Sequence, residues 1–498
     1  MYQKATLEVY FHANFTELQR EFNPALNKIK ISIMKKATLI CITICTFFTV
    51  NAQDITGKWN GILKVQGTQL RLVFNVDKSN VGFTATMDSP DQGANGIPVT
   101  KTSFDNNSIK FEVANLRITY VGELKDDEII GNFSQSGQVF PMNLSRIENE
   151  KLELKRSQEP KKPYSYYSEA ITFENTKENI SLSGTLTLPK KEGVYPAVIL
   201  ISGSGPQNRD EELLGHKPFL VLADHFTKNG IAVLRYDDRG VGESKGNFTT
   251  ATSADFATDV KSAMAYLKTR KEINKKKIGL VGHSEGGLIA PLVASTSEDV
   301  SFIVLLAGTG ISGGEILLLQ QELIARASGI SESEIKKTYE VNKVIFDLVT
   351  SSKNDKKLND DLSNLIYTAI ENDAQMVIPN GVTKEKYVAQ QVNQILNPWM
   401  KFFIQYDPAP ALEKVKCPVL AVNGEKDLQV PPKENLTAIK NALAKGGNKK
   451  LTTIEFPNLN HLFQESQTGA PSEYASIEQT FSPIALEAIT AWIKKQVE

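Results

Sequence analysis

Three serines stand at the centre of a G-x-S-x-G pattern: Ser244 between Gly242 and Gly246, Ser284 between Gly282 and Gly286, and Ser312 between Gly310 and Gly314. The pattern marks a serine on a sharp strand-to-helix turn, where its hydroxyl stands exposed above a sheet and attacks a carbonyl carbon. Three matches make the pattern itself a weak discriminator, so the flanking residues must separate them. Ser244 comes after the loop Asp237-Asp238-Arg239-Gly240 and leads into another loop, Asn247 to Ser253. Ser312 lies beyond Gly308-Thr309 at the entrance to a long helical stretch, with no strand between the two. Ser284 alone has an apolar strand, Ile278 to Val281, running straight into the turn and a helix, Gly287 to Ala294, leaving it at once. Ser284 is the expected nucleophile.

A serine hydroxyl attacks only when a histidine takes its proton, and that imidazole needs a carboxylate to hold its tautomer. The chain has five histidines. His12 precedes the expected mature chain, and His216 and His225 are assigned to the helix after the first buried strand. The side chain of His283 is expected to point away from its neighbour Ser284. His461 follows the last strand, and Asp427 follows the strand before it, with Glu425 as the nearest rival carboxylate. The expected triad is therefore Ser284, Asp427 and His461, in that chain order. The oxyanion formed by attack needs backbone donors. One is the N–H of Glu285; the other comes from Ser202-Gly-Ser-Gly-Pro206, with Ser204 preferred and Gly205 next.

The segments GSGPQNRDE at 203–211, RYDDRGVGES at 235–244, GHSEGG at 282–287, NGEKDLQVP at 423–431 and NLNHLF at 458–463 resemble the α/β-hydrolase superfamily. They are most similar to secreted bacterial carboxylesterases related to its serine-aminopeptidase-like branch. The resemblance runs from about Glu169 to the C-terminus and implies the triad roles just given. One departure is Ser202, which stands where the family frequently has histidine before the oxyanion glycine. Asp238 and Arg239 read as structural turn residues.

Such a set of residues needs a scaffold that delivers loops from several strands to one place. Tyr195 to Ser202 is a nearly continuous apolar run, as in a strand buried on both faces. A helix over Leu213 to Lys228, a strand over Ile231 to Tyr236, and a helix capped by Ser253 follow. Strands at Ile278 to Val281, Val300 to Leu306, Cys417 to Val422 and Leu451 to Phe456 complete an alternation that implies a mostly parallel sheet with helices on both sides. Residues 312–410 interrupt it with helical periodicity, including a capping box at Ser331 and Glu334. This reads as a helical lid over the carboxyl ends of the strands. Its last part carries Trp399, Phe402 and Phe403, which either line an acyl pocket or anchor the insertion to the core.

Residues 53–147 show a different periodicity. Leu70, Leu72, Phe74 and Val76, then Ile109, Phe111 and Val113, alternate with polar residues between turn clusters. That is the pattern of an antiparallel β domain, lipocalin-like or sandwich, with Trp59 as a core plug. Residues 148–168, charged and containing Pro160 and Pro163, read as a linker to the hydrolase domain at 169–498.

The N-terminus carries a targeting signal. Lys35 and Lys36, the apolar run Ala37 to Val50 and the small-residue site Val50-Asn51-Ala52 have the three-part grammar of a signal peptide at 34–52. Residues 1–33 then read as a mis-annotated extension, and the protein as exported to the periplasm or beyond.

Lys+Arg 56 against Asp+Glu 57 leaves a net charge of -1, without the basic excess that nucleic acid binding requires. The three cysteines have no zinc-like spacing. The expected enzyme is a serine esterase for short-to-medium acyl esters, working through an acyl-enzyme without metal or cofactor. Its partner is a small-molecule ester, with no integral membrane span in the mature chain and an envelope or glycan contact assigned to the β domain. A serine aminopeptidase of the same fold is the alternative, and a non-catalytic binding protein is disfavoured because all three triad members are present. Mass spectrometry of the exported protein should find Gln53 at the N-terminus; an intact Met1 would rule the signal out.

Overall fold

The computed structural model describes residues 54–372 and 383–498, except 66–67, 80–81, 91–93, 117, 136–137 and 149–155. The signal at 34–52 and the extension before it lie outside the described residues. Among those residues no helix is long and apolar enough to cross a membrane. They fall into two units, one formed by the strands up to Ser145 and one by the chain from Arg156 onward.

The first unit is a ten-stranded sheet built from β1 (Gly57–Val65), β2 (Thr68–Ser79), β3 (Gly82–Ser89), β4 (Ala94–Pro98), β5 (Lys101–Asp105), β6 (Ser108–Val113), β7 (Ile118–Lys125), β8 (Glu128–Gln135), β9 (Gln138–Pro141) and β10 (Leu144–Ser145). Its strand order is β4-β3-β2-β1-β10-β8-β7-β6-β5, with β9 added on β8. Alternation drives it: in β6, Ile109, Phe111 and Val113 are buried, while Ser108, Lys110 and Glu112 face outward or remain partly open. Phe74 of β2 stacks on Phe111 of β6 at 4.5 Å, although four strands separate them in the sheet. The sheet therefore curls over its own apolar face into a half-barrel. Trp59 is buried inside it, its Nε1–H donating to Ile55 O at 2.8 Å with the Arg146 guanidinium over its ring. Leu116 is not part of a strand; it closes a 3₁₀ turn ahead of β7 and is exposed.

The second unit is an eight-stranded sheet in the order β11-β12-β14-β13-β15-β16-β17-β18. The strands are β11 (Tyr167–Asn175), β12 (Ile180–Leu188), β13 (Tyr195–Ile201), β14 (Ala232–Tyr236), β15 (Ile273–His283), β16 (Phe302–Leu306), β17 (Val419–Gly424) and β18 (Leu451–Phe456). From β14 to β18 all pairings are parallel, and β12 alone runs against β11 and β14. The five residues of β14 and of β16 are all buried; β16 is wholly apolar, whereas β14 buries Arg235 among apolar residues. The β11–β12 hairpin is an addition to the sequence reading, in which this edge went unassigned.

Helices α1 (Pro218–Lys228), α2 (Ser253–Thr269) and α3 (Glu285–Ala294) connect the early strands. The first begins at Pro218 and not at Leu213, because Leu214 and Gly215 hold positive φ angles of 51° and 78° that no helix tolerates. His216 thus precedes this helix and is buried, hydrogen-bonded to Thr480 Oγ1 and Tyr474 O. Helix α2 is capped by Thr252 in a capping box with Asp255, so Ser253 is its first residue and not its cap. Between β16 and β17 come α4 (Gly313–Ala327), α5 (Glu332–Ser351), α6 (Asp355–Asn372), α7 (Lys384–Ile395), α8 (Pro398–Gln405) and α9 (Ala409–Leu412). Ser331 caps α5 by accepting the Glu334 N–H, as its capping box predicts. Helices α10 (Pro432–Lys445) and α11 (Pro483–Val497) finish the unit.

The segment read as a linker is only partly one. Arg156 donates to the carbonyls of Leu214, Gly215, Ala475 and Ile477, and Gln158 bonds Thr480 N and Phe481 O. These two side chains tie the start of the second unit to its C-terminal loop, and Tyr167 already belongs to a strand. Hydrogen bonds from a charged donor contribute more than neutral ones. Arg156→Ala should lower the stability of this unit by about 2 kcal/mol in urea unfolding; an unchanged midpoint would show that the loop holds without it.

Candidate active site

The loops that follow β13, β15, β17 and β18 meet at the carboxyl ends of neighbouring strands, where open α/β sheets bind ligands. The strand pairs fix their spacing: Ile201 is level with Gly282, and Gly424 with Phe456.

Ser284 sits between β15 and α3 with φ 53° and ψ −114°. A non-glycine residue in this region is strained, and such strain persists where the surroundings over-determine it. Its N–H donates to Leu306 O at 2.9 Å and its carbonyl accepts from Gly287 N at 2.9 Å. A methyl on Gly282 would overlap Gly286 O, and one on Gly286 would overlap Ile201 O. Both glycines are required by this close backbone approach. The other two serines are committed elsewhere. Ser244 is buried, donating to Asp237 O at 2.7 Å and accepting from Ser183 N at 2.9 Å. Ser312 caps α4 by a capping box with Glu315.

His461 Nδ1 lies 2.9 Å from Asp427 Oδ2, and both side chains are buried. The other oxygen, Oδ1, accepts the N–H groups of Gln429 and Val430, each at 2.8 Å. The carboxylate is thus immobilised by its own loop and presents one oxygen to the imidazole. The rival Glu425 is exposed and accepts the Asn458 N–H instead. The His461 loop is held by Asn460, whose Oδ1 accepts from Leu462 N and Gln464 N.

The loop after β13 is pinned from two sides. Ser202 Oγ donates to Asp238 Oδ1 at 2.7 Å, and Gln207 N to Asp238 Oδ2 at 2.9 Å. Burial raises Asp238 well above the usual carboxylate range, the Glu285 charge adds to the rise, and these two bonds oppose it. Gly203 N–H donates to Glu211 Oε1 at 2.7 Å, so it is not free for an oxyanion, which leaves Ser204 and Gly205. A Cβ on Gly203 would lie 3.3 Å from Ser284 Cβ, which brings this loop against Ser284. Arg239 is structural, forming a two-pronged pair with Asp259.

Glu285, next to Ser284 in sequence, is buried. Its Oε1 accepts from Ser253 Oγ at 2.6 Å and from Trp399 Nε1 at 2.8 Å. Burial pushes its carboxyl up, while hydrogen bonds from Ser253, Trp399 and Ser204 pull it back. Of the three expected pocket aromatics, Trp399 therefore reaches the site. Phe403 is buried behind it, stacked at 5.1 Å, and Phe402 stacks on Tyr406. Two residues to which the sequence assigns no role also lie here, Glu211 and His283, whose side chain is directed to partners other than Ser284: His283 Nδ1 is 2.9 Å from Glu211 Oε1, and its Nε2 is 3.0 Å from His461 O. The GHS and RDE sequences hold these residues, but nothing local signals that two side chains 72 positions apart will pair.

A mostly parallel sheet with a serine at a positive-φ turn after its central strand, and a His–Asp pair from its last two strand ends, defines an α/β-hydrolase. The chain belongs to the family described as serine aminopeptidase, S33, which it matches over residues 217–466, half of its length. It is similar to esterase EstD of Thermotoga maritima, with 25% identity over 334 residues covering 66% of this chain and 69% of that protein. It is also similar to acyl-coenzyme A thioesterase 1 of Mus musculus, 27% identical over 173 residues, or 35% of this chain and 38% of that one. Among solved structures, Est1E of Butyrivibrio proteoclasticus with bound ferulic acid is 18% identical with a TM-score of 0.39, covering 66% of this chain and 99% of that one.

Removing one donor from a buried carboxylate leaves it under-satisfied. Trp399→Phe keeps the ring and deletes the indole N–H to Glu285. It should cost about 1–3 kcal/mol in denaturant unfolding; no change would mean that the bond to Glu285 carries no net stability.

Proposed function

We propose that this chain is a serine hydrolase that cleaves carboxylic esters through an acyl-enzyme, with Ser284 as nucleophile, His461 as general base and then acid, and Asp427 as the carboxylate that orients it. The observation that carries this reading is the bond from His461 Nδ1 to Asp427 Oδ2, with Asp427 Oδ1 filled by two N–H groups. A carboxylate so placed keeps the proton on Nδ1 and leaves Nε2 as the base. Ser284 Oγ adds to the ester carbon as its proton passes to Nε2. The resulting oxyanion takes hydrogen bonds from Glu285 N–H and from Ser204 or Gly205 N–H. Collapse breaks the carbon–oxygen bond, and Nε2 returns the proton to the leaving alcohol. Water, deprotonated by the same nitrogen, then releases the acid and restores Ser284.

Ester is favoured over peptide by the state of Glu285. An aminopeptidase pairs the substrate's ammonium with a carboxylate near the acyl site, and the carboxylate next to Ser284 in sequence, Glu285, is already engaged by Ser253 and Trp399. The similarity to an esterase and to a thioesterase supports the same choice. In this reading the helices between β16 and β17 form a lid, Trp399 with Phe402 and Phe403 faces short-to-medium acyl groups, and the enzyme is exported. The half-barrel contacts envelope or glycan, a role supported by Val121, Ile130 and Val139, exposed on one side of β7–β9.

Ser284→Ala should lower turnover of p-nitrophenyl acyl esters by about 10⁴–10⁶ with the fold intact, His461→Ala by a similar factor and Asp427→Asn by less. Retained activity in Ser284→Ala, with loss in Ser244→Ala or Ser312→Ala, would overturn the nucleophile. Aminoacyl p-nitroanilides, run in parallel, should turn over far more slowly than the esters; the reverse order would make the enzyme a peptidase.

A further inference from the structure

His283 has no role in the triad, yet both of its ring nitrogens are taken by oxygen within 3.0 Å. The partner of Nε2 is the main-chain carbonyl of His461, which only accepts, so Nε2 must carry a proton. The partner of Nδ1 is Glu211 Oε1, and that same oxygen accepts Gly203 N–H at 2.7 Å. With Gly203 N–H already donating to that oxygen, a proton on Nδ1 gives it a second donor, and the ring is then an imidazolium. Burial alone would push His283 down; the Glu211 charge and hydrogen bond, with the His461 carbonyl and the more distant Asp427 charge, outweigh it and raise it.

The surroundings make this pair hard to break. Glu211 and His283 share a small cavity with Phe219, Leu222, Leu306, Leu462 and Phe481, an apolar wall in which a lone charge is costly. Glu211 is also held at φ 51°, a conformation uncommon outside glycine, so the backbone is bent to bring this side chain inward. The His283 ring lies 4.8 Å from the His461 ring, and the Glu211 charge balances it, so that little net charge is added beside the general base.

We propose that Glu211 and His283 form a buried carboxylate–imidazolium pair that positions two parts of the reaction centre at once: the oxyanion loop through Gly203 N–H, and the general base through the His461 carbonyl. Both are positioning residues, since neither touches the reacting atoms. A Cβ added to Gly203 would lie 3.3 Å from Ser284 Cβ, so the pair holds the loop where it meets the nucleophile. The inference rests on the triad reading given above and adds the element that keeps its separate loops in register.

The test uses the full chain carrying Glu211→Gln or His283→Gln, with turnover of a p-nitrophenyl ester expressed per site labelled by a fluorophosphonate. Misplacing reacting groups by about 1 Å costs up to about 100-fold in rate. The expected result is a fall in kcat of about 10- to 100-fold with KM within about threefold, and a double variant little worse than either single one. Nitrogen-15 NMR of the histidine rings gives the second readout: His283 should show two protonated nitrogens at neutral pH. Its signals are identified by their loss in His283→Gln, or by substituting the other histidines in turn if that variant does not fold. An inactive Ser284→Ala together with unchanged kcat in both variants, or a neutral His283 ring, overturns the inference alone. An active Ser284→Ala overturns the triad and the inference with it.

Discussion

The backbone of Ser284, held at φ 53°, is the constraint on which the rest of the site depends. The turn lifts the hydroxyl out of the sheet only if the chain before and after it can pass through almost the same space. That is why Gly282 and Gly286 face each other with no room for a methyl, and why Gly286 also abuts Ile201 at the end of the next strand. The contact is made between the elbow and β13, so it fixes Ser284 relative to the loop that follows β13. The strain is offset by elements on either side: Leu306 accepts the Ser284 N–H, and Gly287 abuts Gly308 with no side chain between them. A strained turn of this kind costs of the order of 1–3 kcal/mol and survives only in a surround that leaves no alternative.

Around that turn the molecule buries several acids, and each is satisfied by its own set of donors. Asp427 is held by its own loop, Asp238 by the loop after β13, Asp259 by Arg239 and Asn175, and Glu285 by Ser253 and Trp399. A buried charge without partners would neutralise or destabilise the fold. With partners it becomes a rivet, and for Asp238, Asp259 and Glu285 the rivet joins segments distant in sequence.

Much of this was legible in the sequence because the signals are local. An apolar run entering a glycine-flanked serine, followed at once by a helical pattern, separates Ser284 from Ser244 and Ser312 within about fifteen residues of chain. The other two serines prove to be used for loop closure and for capping, roles their flanking residues allow. Asp427 and His461 could be placed because each follows a recognisable strand. What local signals do not carry is pairing across the chain. Gln158 bonding Thr480, Glu211 bonding His283, and Trp399 bonding Glu285 join residues 322, 72 and 114 positions apart. The linker reading failed at Arg156 and Gln158 for this reason: a charged, proline-containing segment has the composition of a linker whether or not its side chains find carbonyls to bind. The helix placed from Leu213 failed differently, since apolar spacing suggested it and two positive-φ residues before Pro218 forbid it.

The same long-range bonds bear on selectivity. Trp399 comes from the helical insertion, and its N–H is directed at the one carboxylate adjacent in sequence to the nucleophile. That bond does two things at once. It ties α8 to the turn that carries Ser284, and it uses up charge that a cationic substrate would otherwise meet. In the proposed reading an acyl group entering beside Ser284 faces an aromatic pair, Trp399 stacked on Phe403, with Glu285 already engaged. Desolvating an ammonium there would bring little compensating attraction, whereas a neutral acyl chain loses only water and gains apolar contact. In the proposed reading, selectivity for uncharged acyl groups follows from how a buried acid is satisfied, and the residue that satisfies it lies on the segment that closes over the site.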